Sequence, residues 1–161
     1  MKLFAAAAAL GLLLIALAAF LALRNFGPSA FPGSQFANRE AAEQAGAFAG
    51  PEAWLPRQIP AGATQLRESH NPATHQTWGS FRLPPGGRLP GGASAVQPGE
   101  LLLLGAPKNV DWWPAFLRGR ASSAELETQG LRFLIYEQGE PSPLVFGVRG
   151  DEAWFWRLAR Q

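Results

Sequence analysis

The chain has 161 residues, 47% of them hydrophobic, and its 14 Lys and Arg stand against 12 Asp and Glu. Lys2 and Arg24 bracket an apolar terminal run, so the remainder is electrically balanced and gives no sign of the clustered positive face that nucleic acid requires. Cysteine is absent, which excludes disulfides, thiol catalysis, Cys-based zinc sites and a lipid-modified terminal cysteine together.

The first element is the uncharged run from Phe4 to Leu23. A helix of that length, at about 1.5 Å per residue, covers the roughly 30 Å hydrocarbon core of a bilayer. Alanine inserts less readily than leucine, so Phe4, Leu12, Leu13, Leu14, Ile15, Leu17, Phe20, Leu21 and Leu23 supply most of the drive into lipid. Ala16-Leu17-Ala18 has the form of a cleavage site, but the apolar run continues past it, as in an uncleaved anchor. The expectation is a single-pass signal-anchor over 1–24, with the lipid bilayer as partner through 4–23. Few residues precede the run, which places the rest of the chain on the extracytoplasmic side, although the flanking charges are nearly equal.

Residues 25–50 read as a tether. Pro28 and Pro32 block helix, and the neighbouring glycines add freedom. A short helix is predicted to start near Asn38, with Glu40 and Glu43 in its first turns, and to end before Gly50. Phe26, Phe31, Phe36 and Phe48 are more apolar than a free linker needs, so the segment either lies on the bilayer surface or docks on the domain downstream of it.

Residues 51–161 hold all six Trp and the single Tyr, enough chain and core material for one small domain. Ala63 to His70 and Thr74 to Leu83 are predicted to pair as a hairpin around Asn71-Pro72. With Asn71 to Thr74 as the loop, His70 faces His75, and Glu68 faces Thr77. Two imidazoles and a carboxylate can hold a zinc ion with an open position, or move protons near neutral pH, so His70, His75 and Glu68 form a candidate site. The spacing matches no established metal signature, and two His beside a turn are more often solvated or hydrogen-bonded to neighbours. No resident cofactor is otherwise expected.

Pro84 to Gly92 is a Pro- and Gly-rich loop. Gly99 to Leu104 reads as either a short helix or a buried strand. In Asp111-Trp112-Trp113-Pro114 the Asp is placed to cap a one-turn helix, and the adjacent Trp pair either packs as core or presents a surface to sugar rings or lipid. Trp112 and Trp113, with Arg88 from the loop, make a candidate binding surface. Ala121 to Gln129 is a polar turn or short helix.

The end of the chain is clearest. Leu131 to Tyr136, Leu144 to Val148 and Ala153 to Arg157 read as three strands of an antiparallel meander, the last two joined at Gly150-Asp151 in a type II′ turn. That register sets Phe146 opposite Phe155, Val145 opposite Trp156 and Gly147 opposite Trp154. Both faces are apolar, so the hairpin packs on two sides. The fold class expected is α+β: a transmembrane helix, then one domain built on an antiparallel sheet of two hairpins with short helices.

Trp54-Leu55-Pro56, Ile59-Pro60, Ala63, Glu68, Thr77-Trp78, Phe81, Trp112-Trp113-Pro114 and the final aromatic strand resemble small single-span bacterial proteins of unknown function. The likeness covers most of 54–158 and rests on aromatics and prolines; it implies an anchored domain and carries no catalytic residue. No nucleophile elbow, zincin helix, calcium loop or phosphate loop is present. Three functions are compatible with these residues: a membrane-tethered, non-catalytic binding or assembly domain with a protein or envelope partner; a module for a small ligand or cell-wall glycan; or a metal-dependent hydrolase using His70, His75 and Glu68.

Overall fold

Aromatic and aliphatic residues run almost unbroken along the last two strands, and in the computed structural model these strands lie in the middle of a sheet. The structure describes residues 31–49, 53–96, 101–104, 106–107, 110–137 and 142–157. The Phe4–Leu23 run lies outside them, and among the described residues no helix is long and apolar enough to cross a membrane.

Nine strands are described: β1 (Gly33–Asn38), β2 (Thr64–Asn71), β3 (Gln76–Arg82), β4 (Ser94–Ala95), β5 (Leu101–Leu104), β6 (Gly119–Ser122), β7 (Arg132–Tyr136), β8 (Leu144–Arg149) and β9 (Glu152–Arg157). Seven form one antiparallel sheet in the order β1-β2-β3-β9-β8-β7-β4, and β5 pairs with β6 apart from it. Among the described residues, helix is confined to α1 (Arg39–Gln44), α2 (Ser123–Glu127) and a single 3₁₀ turn over Ala115–Leu117. Strand thus dominates over helix in this α+β arrangement.

The β8–β9 register is the expected one: Phe146 pairs with Phe155, Val145 with Trp156 and Gly147 with Trp154. Gly150 takes φ +63 in the two-residue loop while Asp151 does not turn positive, as a type II′ turn demands. Gly147, however, is covered from the other side: a side chain there would meet Phe133 of β7 at 3.0 Å. Gly79 of β3 likewise lies under the ring of Phe155.

The first hairpin departs from expectation by two residues. Asn71 pairs with Gln76 and His70 with Thr77, so Glu68 lies opposite Gly79. Asn71 stays in the strand because its side chain accepts from the N–H of Ala73 at 3.0 Å and its carbonyl from Thr74 at 3.3 Å. The loop is therefore Pro72–His75, and His75 closes it at φ +54.

Alternation sorts the core into two layers. On the first face Leu66, Phe81, Leu144, Phe146 and Phe155 pack with Leu55, Ile59 and Ala42 of α1. On the second, Trp78, Phe133, Val145, Trp154 and Trp156 pack with Trp113, Leu117 and Leu126. Both faces of the central hairpin are thus buried.

Residues 31–49, expected as part of a tether, belong to the compact unit that begins at Phe31. β1 pairs along β2 from Gly33↔Ser69 to Asn38↔Thr64, and Phe36 packs on the first core layer. The short helix after Asn38 is present: the Asn38 side chain caps it, accepting from Ala41 N–H at 2.9 Å. Later in the chain, Leu101–Leu104 resolves as a strand, and the 3₁₀ turn has Pro114 rather than Asp111 at its start, with no side-chain cap. α2 begins with a capping box in which Ser122 and Glu125 satisfy each other's backbone N–H.

Candidate functional site

Strand alternation puts Glu68, His70, Ser34 and Thr77 on the first face of the sheet, at the corner where β1, β2 and β3 run side by side. Glu68 is 4% exposed, an unusual setting for a carboxylate. His70 Nδ1 lies 3.0 Å from Glu68 Oε2. Burial raises the carboxyl above its ordinary pKa, while the hydrogen bond and charge of His70 and bonds from the side chain and backbone of Ser34 pull it back down.

Trp54 completes the arrangement from a distant segment. Thr77 donates its hydroxyl to the Trp54 carbonyl at 3.4 Å, and the indole lies flat on the His70 ring at 3.8 Å with an interplanar angle of 5°. Stacking fixes the imidazole plane, and Glu68 fixes its rotation by holding Nδ1. Among the described residues Nε2 has no hydrogen-bond partner.

These groups line a cleft of about 630 Å³, a volume suited to a small ligand or a few residues of extended peptide. Pro32, Phe36, Ala47, Leu55 and Pro72 give it apolar walls, and Glu68 and His70 supply its ionisable groups. The arrangement can accept a proton or a hydrogen bond from a guest at one point and bury apolar surface around it.

Of the three residues predicted as a metal site, Glu68 and His70 come together. His75 does not join them; the turn carries it to an exposed position where its ring is 6.1 Å from that of Trp54. Among the described residues no group of three or more His, Asp or Glu is placed to hold a metal ion. The Glu68–His70 pairing follows from two-residue spacing on a strand, a signal present in the sequence. Trp54 had no such signal, because its approach depends on how the loop after α1 folds back.

The other candidates separate. Trp113 is 1% exposed, edge-on to Trp156 at 6.2 Å, with its indole N–H donating to the Leu117 carbonyl. Its adjacent indole, that of Trp112, is half-buried and borders a groove of about 330 Å³ together with Arg67, Arg149 and Glu152. The Arg149 guanidinium lies 4.7 Å over the Phe116 ring there. Arg88 is elsewhere: its neighbour Leu89 packs on the first core layer, whereas both Trp belong to the second. The three residues do not share a surface.

Residues 33–82, from β1 through β3, match a small bacterial domain family described as the YbbD head domain. That span includes Trp54, Glu68 and His70 and stops before β4. No curated protein and no solved structure matches the chain.

Proposed function

We propose that this chain is a membrane-tethered, non-catalytic binding domain, and that its partner enters the cleft formed by Trp54, Glu68 and His70. The observation that carries the reading is Glu68. A carboxylate buried this far, with burial outweighing its favourable bonds, is a cost to the fold that a well-packed apolar residue would not impose. Such groups concentrate where a protein meets a ligand. The tether rests on the Phe4–Leu23 run, whose length matches a bilayer.

A photo-crosslinking side chain placed at Ala45, on the cleft wall, tests this in cells that carry the full chain. The expected outcome is a discrete adduct at Ala45 and none at Arg57, which is exposed and away from the cleft. Trp54→Ala should reduce that adduct at least about tenfold, the scale of an aromatic anchor residue. Equal labelling at both positions, or an adduct indifferent to Trp54→Ala, would overturn the proposal.

The 3.0 Å contact between Glu68 and His70 also supports a second reading, acid–base catalysis, because a carboxylate on Nδ1 is how an imidazole is oriented to use Nε2. Among the described residues no hydroxyl is bonded to that nitrogen, so the nucleophile would be water. Turnover that follows a single ionisation and disappears in His70→Gln would favour this reading over binding alone.

A further inference from the structure

A second cleft, of about 380 Å³, opens on the first face of the sheet toward β7. Its apolar floor is Leu83, Leu89, Leu134 and Val148, and Arg88 and Arg132 stand at its wall. Strand pairing fixes Arg132, which sits directly opposite Val148 in the β7–β8 ladder. A strap holds Arg88. The Gly87 N–H donates to the Pro84 carbonyl at 2.7 Å, and the Tyr136 hydroxyl donates to the Pro90 carbonyl at 2.6 Å, so the backbone on both sides of Arg88 is tied down.

Neither guanidinium has a hydrogen-bond or ion-pair partner among the described residues. The acid on the adjoining rim, Asp151, is taken by Arg82 at 2.6 Å. Two always-charged forks, with no ion-pair partner among the described residues, beside an apolar floor make a site that repels cations and is complementary to a molecule with one anionic end and one apolar end. A free inorganic anion would leave the floor wet, and a neutral hydrocarbon would leave the arginines unused.

We infer that this cleft binds an amphipathic anion, with a phosphate or carboxylate between Arg88 and Arg132 and a short hydrocarbon body on Leu83, Leu89, Leu134 and Val148. It is separate from the Trp54 cleft, and its success or failure does not depend on what that cleft binds. The same chemistry can come from a dissolved amphiphile or from an anionic lipid in a bilayer.

The full chain in zwitterionic nanodiscs, titrated calorimetrically with octyl phosphate below its micelle concentration, tests the inference. Saturable one-to-one binding is expected, at least about tenfold tighter than inorganic phosphate. Arg88→Ala and Arg132→Ala should each weaken it about tenfold or more without moving the thermal unfolding midpoint, Arg88→Lys should weaken it less, and Arg57→Ala should leave it unchanged. Repeating the titration in nanodiscs containing phosphatidylglycerol separates the sources: competition identifies bilayer lipid as the occupant, and undiminished binding identifies a dissolved one. No saturable binding, equal affinity for inorganic phosphate, or indifference to both arginine variants would refute the site.

Discussion

Glu68 concentrates the physical tension of the molecule in one side chain. Its carboxyl is held above its ordinary pKa of 4.5 by burial, against the pull of His70 and Ser34. Because the folded state then binds the proton more tightly than the unfolded chain, this group lowers stability as pH rises from the unfolded value through the folded one, and the penalty is complete above the folded pKa. Glu68→Gln should therefore raise the urea midpoint at pH 8, with the advantage shrinking as the pH falls toward 4.5. Each unit by which burial lifts the pKa corresponds to about 1.4 kcal/mol of that difference. The same comparison in a His70→Gln background separates the carboxylate from the imidazole; a gap that stays constant between pH 8 and 4 would count against the assignment. In the sequence, Glu68 and His70 are readable as neighbours on one strand face. The indole that fixes the imidazole is not, because Trp54 reaches it through a loop whose path depends on the finished core; Trp113 reads as core more readily than as surface, and Trp156 packs against it there.

Individual strands owe their fit to two aromatic-over-glycine contacts. A methyl group on Gly79 would overlap the Phe155 ring and press on the Arg67 carbonyl, neither of which is a flexible end that swings away. Gly79→Ala should cost about 1–3 kcal/mol, the usual penalty of overpacking, with the loss read as a lower denaturation midpoint at unchanged slope. An unchanged midpoint would mean that Phe155 has room the packing does not suggest. The register of the two hairpins is legible to different degrees for a local reason. Gly150-Asp151 admits one two-residue turn, so the pairing of β8 with β9 can be counted from it. Asn71-Pro72 marks a turn without stating its length, and the Asn71 side chain, by capping Ala73, keeps Asn71 in the ladder and moves the loop on to His75. β1 escapes a reading of the sequence because Gly33, Ser34, Gln35 and Asn38 carry no strand preference; only docking against β2 makes that stretch extended.

At the scale of the whole sheet both faces are buried, and residues 31–49 are part of what covers the first. β1 lies along β2, Phe36 and Ala42 pack on the first layer, and Ser34 hydrogen-bonds Glu68. A chain cut to begin at Pro51 should lose about 3 kcal/mol or more relative to one beginning at Phe31, the scale of uncovering a large apolar side chain and leaving a buried polar group short of partners. Equilibrium unfolding of the two lengths decides the matter, and equal midpoints would return residues 31–49 to the status of a linker.

The centre of the sheet is also where its topology is most demanding. β2–β3 and β8–β9 are hairpins between sequence neighbours, but they meet through the β3–β9 pair, where Arg82 and Asp151 touch across a separation of 69 residues. Closing so long a loop becomes only about 0.6 kcal/mol harder for each doubling of its length, so the crossover weighs little on equilibrium stability. Its weight falls on time. Two locally formed units must find each other across the chain before a centre exists to hold them, which places this domain among the non-local β folds whose assembly runs in milliseconds to seconds.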